Sequence, residues 1–278
     1  MYLVFDIGGT NMKIATSPDG KILTATKIVS TPQDFEEGIK AIKQIASKLR
    51  GNEKIEAVAG GVAGPIDKEK SKLVASPHIP GWIEKPLKQS IEEAFNSPVL
   101  LEHEADLEGL GETVLGAGAG YKIVATLIIG TGVASTRTVE GKIDQNALGF
   151  EAGHHIIIVD GNQCDCGGKG HFEAYVSGSG IQRTYGKKGE EIMDPKIWDE
   201  VAKYIAIGLN NVTVFWSPDA IVLGGAVMKS VTLDAVRSYF NQTLTIFPAG
   251  PEIIQAKLGD LATLYGALVL LDQKTMPL

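Results

Sequence analysis

A glycine-containing hairpin pattern that occurs twice is the feature that most constrains the fold of this chain. Residues 7–22 align with residues 128–143 at one offset of 121 positions and without a gap, with six identities in sixteen positions. Most identities fall in two turns, where backbone demands are strictest: Gly9 with Gly130, Thr10 with Thr131, Gly20 with Gly141 and Lys21 with Lys142. Chance similarity, or convergent turn chemistry in two hairpins, is the alternative explanation. We favour a duplication, which predicts two domains of similar topology.

Hydrophobic periodicity predicts comparable elements in the two halves. The first half is predicted to contain a helix that starts near Pro32, a residue suited to a first helical turn, and strands at 2–7, 13–16, 22–29 and 55–62. The second half, which follows the glycine-rich segment 116–120, is predicted to contain helices at 197–215, 233–244 and 261–271 and strands at 220–223 and 253–256. The 278 residues and 44% hydrophobic content are sufficient for two domain cores.

Charge and hydropathy argue against nucleic acid or a membrane as a partner. The formal net charge is −7, so the surface repels phosphate backbones and anionic lipids. Apolar runs such as 123–129 are far shorter than the roughly 20 residues that cross a bilayer. Residues 1–6 have no basic leader and an acid ends their apolar run, so we expect no signal peptide and a cytoplasmic protein. Because the first strand starts at Tyr2, we also expect no helix-turn-helix before it.

The two repeated hairpins are candidate phosphate-binding loops. Asp6 ends a strand and leads into Gly8, Gly9 and Thr10, where glycines let a phosphate approach backbone N–H groups and Asp6 supplies a carboxylate for magnesium. The second hairpin offers the same chemistry through Gly130, Thr131 and Gly132. Either hairpin alone is most simply a turn, but the pair suggests that two facing loops hold a magnesium-nucleotide. The sequence contains neither a P-loop nor a dinucleotide-binding glycine fingerprint.

A second constellation suggests a metal. Its four members supply two imidazoles and two thiols, the ligand types that tetrahedral zinc prefers: His154, Cys164, Cys166 and His171. The alternatives are a reduced cysteine pair in a surface loop and a small redox switch. We predict about one zinc ion per chain.

The first hairpin and its flanks read Asp6-Ile7-Gly8-Gly9-Thr10-Asn11-Met12-Lys13. Together with the repeat, this segment resembles the ROK family of sugar kinases and sugar-responsive repressors. The resemblance implies an α/β fold of two ribonuclease-H-like (actin-like ATPase) domains with a cleft between them. It implies domains at 1–115 and 116–260, the second carrying a zinc loop at 154–171, with a C-terminal helix at 261–278 that packs back on the first. The resemblance also implies that the protein binds ATP, Mg²⁺ and a hexose and that it forms a homodimer. It assigns Lys13, Gly224 and Gly225 to the nucleotide site, where the two glycines pack on adenosine.

The same resemblance extends to the sugar site. His154 begins a motif similar to the family's zinc motif, except that His171 stands at the third cysteine of that motif. The segment 102–106 is similar to the family's Glu-Asn-Asp-Ala-Asn, whose aspartate accepts the proton of the attacking sugar hydroxyl. In this chain His103 replaces the asparagine and Glu104 the aspartate, so the base sits one methylene further out. The other positions that the resemblance assigns to sugar binding are Gly64, Glu151, His154 and Glu173.

These observations predict an ATP-dependent hexose kinase, with glucose as the default substrate and Glu104 as general base. The change at Glu104 motivates a second hypothesis, a sugar or nucleotide sensor without catalysis. Polyphosphate also remains open as the phosphoryl donor.

Overall fold

The computed structural model describes residues 1–76 and 78–275, and these form two compact units. The first unit comprises residues 1–111 and the segment that begins at Asp260; the second comprises residues 112–259. The C-terminal helix was predicted to run to residue 278, and residues 276–278 lie outside the described residues. Within the described ranges, no helix is both long and apolar enough to span a membrane.

The first unit is built on a five-stranded sheet. Its strands are β1 Tyr2–Ile7, β2 Asn11–Ser17, β3 Ala25–Ser30, β4 Ala57–Val62 and β5 Val99–His103. Its helices are α1 Phe35–Arg50, α2 Leu87–Phe95, most of α3 Glu104–Val114, and α8 Ala262–Thr275. The strand order is β3-β2-β1-β4-β5, in which the first three strands are antiparallel and β1, β4 and β5 are parallel. Helix α8 packs on β1 and β4, and the core includes Phe5, Ile14 and Trp82.

The second unit is built on another five-stranded sheet. Its strands are β6 Ile123–Ile129, β7 Val133–Val139, β8 Lys142–Ile143, β9 Ala220–Gly224 and β10 Glu252–Gln255. Its helices are α4 Glu173–Val176, α5 Gly178–Tyr185, α6 Pro195–Trp216 and α7 Leu233–Thr243. The sheet order is β8-β7-β6-β9-β10, again with three antiparallel strands followed by parallel pairing.

The two sheets therefore share one topology, which confirms an α/β fold with two similar halves. In each, the first strand of the unit is central, a hairpin leads to one edge and crossover connections lead to the other. The gapless alignment of the repeat is wrong by one residue in its first strand. Val133 lies 121 positions after Met12, whereas their partners Ile129 and Ile7 lie 122 positions apart. Four residues, 8–11, lie between the paired residues Ile7 and Met12, whereas three, 130–132, lie between Ile129 and Val133.

The start of α1 also differs from the sequence prediction. The N-cap is Asp34, whose carboxylate accepts a 2.9 Å hydrogen bond from Glu37 N, and the helix begins at Phe35. A capping aspartate satisfies an N–H group that the first turn leaves unpaired, which explains why the helix starts here. Pro32 precedes the cap, and its carbonyl instead accepts a 2.8 Å hydrogen bond from the indole of Trp82.

Candidate active site

The first hairpin is held so that part of its backbone is free to face an anion. Thr31 donates its hydroxyl to Gly8 O at 2.6 Å and its N–H to Thr10 O at 2.9 Å. In a trans peptide the N–H points opposite to the preceding carbonyl, so the N–H of Gly9 points away from Thr31. A side chain at Gly9 would meet His78, since an added Cβ would lie 2.4 Å from His78 Cβ. His78 therefore packs directly on this hairpin.

A cluster of charged groups lies beside the first hairpin. Lys13 Nζ is 2.7 Å from Asp6 Oδ2, and the Asp6 side chain is almost fully buried. Burial raises the pKa of Glu104 to about 8, the negative charges of Asp6 and Glu108 add to the rise, and Lys13 opposes it. Burial also raises the pKa of Asp6 against the effect of Lys13. The structure thus brings together three of the residues that the sequence assigned to catalysis and nucleotide binding: Asp6, Lys13 and Glu104.

Glycine contacts fix the position of Glu104. It is the first residue of α3, directly after β5, and an added Cβ at Gly61 of β4 would lie 3.1 Å from Glu104 Cα. Further along α3, an added Cβ at Gly266 of α8 would lie 1.8 Å from Leu107 O. An added Cβ at Gly111 would lie 2.4 Å from Ala262 O. Glycine is required at 111 and 266, and the contact at Gly61 is tight, so α3 packs closely on α8 and on β4 and its start has little freedom to move.

The second hairpin is held by the first turn of α5. Gly130 O accepts from Gly178 N at 2.8 Å, and Thr131 O accepts from Ser179 N at 3.1 Å. By the same trans-peptide geometry, the N–H groups of Thr131 and Gly132 point away from α5. Two successive N–H groups with this orientation are suited to phosphate oxygens.

The proposed adenosine loop lies beside this hairpin within the second unit. Gly225 has a φ of 95°, and an added Cβ there would lie 2.4 Å from Ile129 O. At Gly224 an added Cβ would lie 2.8 Å from Ile128 Cδ1 and 3.0 Å from Ala256 Cβ. Close packing against the β6 backbone thus requires glycine at 225, and little space remains for a side chain at 224, whether or not a nucleotide binds.

The residues assigned to sugar binding occupy different settings. Glu151 is exposed, and its Oε2 is 3.9 Å from His154 Nε2. Glu173 is half-buried, and its Oε2 accepts a 2.7 Å hydrogen bond from Val133 N. In the first unit, Gly64 has a φ of 136°, and an added Cβ would lie 2.3 Å from Ala75 O, so glycine is required there. His103 is the last residue of β5 and is half-buried.

The four predicted metal ligands come together. One ligand atom from each of His154, Cys164, Cys166 and His171 lies within 4.8 Å of the others. Tetrahedral zinc with bonds of about 2.0–2.3 Å separates its ligand atoms by about 3.3–3.8 Å, so a small contraction suffices. The separations are 3.8 Å from Cys164 Sγ to His154 Nδ1 and 3.2 Å from Cys166 Sγ to His171 Nδ1. His155 is outside the set, with Nδ1 2.5 Å from the Ala152 carbonyl oxygen.

Sequence reasoning missed two carboxylates. Glu112 is fully buried and accepts hydrogen bonds from the backbone of Lys257, Leu258 and Ala117, the shortest being 2.6 Å. Glu102 is buried on β5 and forms an ion pair with Lys70. Glu112 gave a detectable signal, since an acid four residues before the glycine-rich segment 116–120 interrupts an apolar helix face. No sequence pattern indicates the ion pair between Lys70 and Glu102, because this pair depends on the conformation of the loop that carries Lys70.

Comparison with known proteins identifies the family. The ROK family model matches residues 2–274. The chain belongs to the ROK family. A glucokinase from Streptomyces coelicolor is 28% identical over 301 aligned residues, which cover 94% of this chain and 94% of that enzyme. Among solved structures, a ROK hexokinase from Thermus thermophilus has a TM-score of 0.89 at 29% identity and covers 99% of each chain. A ROK family glucokinase from Streptomyces griseus, solved with glucose and AMPPNP, has a TM-score of 0.82 at 27% identity, covering 98% of this chain and 99% of that chain.

Proposed function

We propose that this ROK protein transfers the γ-phosphoryl group of ATP to the terminal hydroxyl of a hexose, with glucose as the first candidate. The observation that carries the proposal is the half-buried Glu104 at the start of α3, beside Asp6 and Lys13. Similarity to glucokinases and to a hexokinase supports this function over a sensor without catalysis.

In the proposed reaction, the hexose hydroxyl oxygen attacks the γ-phosphorus as the bond to the β–γ bridging oxygen breaks and ADP leaves. Glu104 accepts the hydroxyl proton. Backbone N–H groups of residues 8–10 and of residues 130–132 are each suited to phosphate oxygens. Positioning and charge stabilisation then supply most of the rate.

The charged cluster is suited to magnesium. Asp6 Oδ1 is buried and has no hydrogen-bond partner among the described residues, while Oδ2 is held by Lys13. A free, buried carboxylate oxygen is costly unless a ligand satisfies it, and oxygen is the donor that Mg²⁺ prefers. Bound Mg²⁺ would neutralise phosphate charge.

We further propose zinc as a structural ion. Its ligands His154, Cys164, Cys166 and His171 would order the loop that carries Glu151 and precedes Glu173. Two imidazoles and two thiolates form a closed tetrahedral set, which leaves no open position for substrate and supports a structural role.

The proposal is tested by screening hexoses and amino-hexoses for sugar-dependent ADP release with MgATP, and in parallel with polyphosphate as donor. We expect turnover with at least one hexose and ATP. Calorimetry on the same sugars separates the alternatives: a sugar that binds without turnover under any donor supports the sensor and contradicts the kinase.

A further inference from the structure

Glu173 lies between the metal-ligand loop and the second hairpin. Its Oε2 accepts a 2.7 Å hydrogen bond from Val133 N, and its Oε1 is 3.5 Å from Cys164 Sγ. By family resemblance this glutamate accepts hydrogen bonds from sugar hydroxyls. In the structure one of its oxygens is already engaged by the backbone at the end of the hairpin.

The contact with Val133 controls a specific peptide. Because Val133 N–H points at Glu173, the Gly132 carbonyl points the opposite way and accepts a 2.9 Å hydrogen bond from Gly130 N. The preceding two peptides are fixed by α5 through Gly130 O and Thr131 O. Glu173 therefore fixes the third successive peptide of the loop that would bind phosphate, next to the two peptides that α5 fixes.

The shape around the carboxylate fits this role. An added Cβ at Gly132 would lie 2.7 Å from Glu173 Oε2, and one at Gly153 would lie 3.6 Å from the same atom. A side chain at residue 132 would push the carboxylate from Val133 N. The glycine at 132 is thus required by Glu173 as well as by any approaching phosphate.

The backbone directly before Glu173 is held firmly by packing. The preceding Phe172 is fully buried, stacks on His155 with ring centroids 5.2 Å apart, and donates its N–H to His155 O at 2.9 Å. An added Cβ at Gly208 of α6 would lie 2.5 Å from the Phe172 ring. A carboxylate anchored this firmly is suited to holding another segment in place.

We infer that Glu173 is a positioning residue for the second phosphate hairpin, so that its loss weakens nucleotide binding more than sugar binding. The inference rests on the proposed function for its ligand but makes a separate claim. It states that loss of Glu173 weakens MgATP binding, whereas loss of a residue that only binds the sugar would leave MgATP binding unchanged.

The test compares Glu173→Ala, Glu173→Gln and, as a control, Glu190→Ala. Calorimetry measures AMPPNP with Mg²⁺ and, separately, the hexose that the wild-type protein turns over; zinc content is measured for each variant. We expect E173A to weaken AMPPNP binding about tenfold or more, because the hairpin loses its hydrogen bond from Val133 N to a charged carboxylate. E173Q retains an oxygen for Val133 N–H and should bind AMPPNP within about threefold of wild type. Glu190 is an exposed glutamate of the second unit, so E190A should leave AMPPNP binding unchanged.

A second measurement does not depend on any ligand. In protein labelled with ¹⁵N-valine, the Val133 amide should exchange with solvent about tenfold faster in E173A than in wild type. Loss of hexose affinity in E173A, with AMPPNP affinity and Val133 exchange unchanged, would overturn the inference while leaving the kinase proposal intact. A wild-type protein that binds neither AMPPNP nor any hexose would contradict the proposed function itself, and in that case the exchange of Val133 still decides whether Glu173 holds the hairpin.

Discussion

Lys13 Nζ donates to Asp6 Oδ2 at 2.7 Å, and this ion pair joins the two antiparallel strands on either side of the first hairpin. Asp6 and Lys13 are directly opposite each other in the β1–β2 register. Among the residues that the structure describes, the pairing leaves Asp6 Oδ1 without a hydrogen-bond partner, and it places the ammonium group where it opposes the rise in the pKa of Glu104. One lysine therefore serves both the proposed metal-binding carboxylate and the proposed base.

The first prediction concerns Lys13→Met. Removing one partner of a largely buried ion pair leaves Asp6 as an unpaired buried charge, which should lower the free energy of unfolding by about 2–4 kcal/mol at pH 7. Urea denaturation measures the change. Lys27→Met, an exposed lysine on β3, is the matched control, and the double change K13M with Asp6→Asn should recover part of the loss. Equal stability of K13M and K27M would contradict this account of the pair.

The second prediction concerns the base. Glu104→Gln keeps the shape of the side chain but cannot accept a proton, so kcat should fall by about 10²–10⁴-fold. Hexose affinity, measured by calorimetry, should stay within about threefold, because positioning groups are retained. Glu108→Gln on the same helix is the control and should reduce kcat by less than about tenfold. If E104Q turned over hexose as fast as wild type, another group would have to accept the proton.

The third prediction is the pH dependence of this reaction. Burial raises the pKa of Glu104 to about 8 in the unliganded protein, so most of the carboxyl is protonated at pH 7. Only the deprotonated form accepts a proton, and kcat/KM, which reports on the free enzyme, should therefore rise with pH and reach half its maximum near pH 8. E108Q removes one negative charge that raises the pKa and should shift the midpoint downward. A profile that is flat from pH 6 to 9 would exclude Glu104 as the titrating base.

The raised pKa of Glu104 should also make the free energy of unfolding decrease with pH, whereas kcat/KM increases. The pKa of Glu104 is higher in the folded protein than its ordinary value of 4.5, so the folded state binds more protons between pH 4.5 and about 8. The contribution of this group is fully present below pH 4.5 and is lost as the pH rises through 8. E104Q should remove that dependence and should be more stable than wild type at pH 8.5.

How much the sequence predicts depends on whether a feature is local. Glu104 is identified from the local segment 102–106 through its resemblance to a family motif, and in the structure it begins α3 directly after β5 ends at His103. The four metal-ligand candidates are close in sequence, and the structure brings them together. The hairpin offset was wrong by one residue because the turn identities do not record a one-residue difference in loop length. Contacts between distant segments, such as Glu173 with Val133, depend on tertiary packing that periodicity does not encode.

The fourth prediction concerns the metal. Purified protein should contain about one zinc per chain, and Cys164→Ser should abolish retention and lower the melting temperature by several degrees, since a structural site contributes directly to folding. Asp165→Asn lies between the two cysteines and removes only an exposed ion pair with Arg183, so it should retain zinc. Elemental analysis checks both variants. Wild-type protein that lacks metal and has two freely titratable thiols would remove zinc from the proposal.

The fifth prediction concerns Glu112, whose buried carboxylate accepts backbone hydrogen bonds from Ala117, Lys257 and Leu258. Three N–H groups converge on the two oxygens, and Glu112→Gln would turn an amide NH₂ toward at least one of them, which leaves a buried donor unsatisfied. We expect the free energy of unfolding to fall by about 2–4 kcal/mol, measured in urea at pH 7. Glu53→Gln, an exposed glutamate, should change it by less than about 0.5 kcal/mol. Because no other protein side chain accepts from Lys257 N or Leu258 N within the described residues, a neutral effect of E112Q would mean that segments 116–118 and 257–258 are not held by this carboxylate in solution.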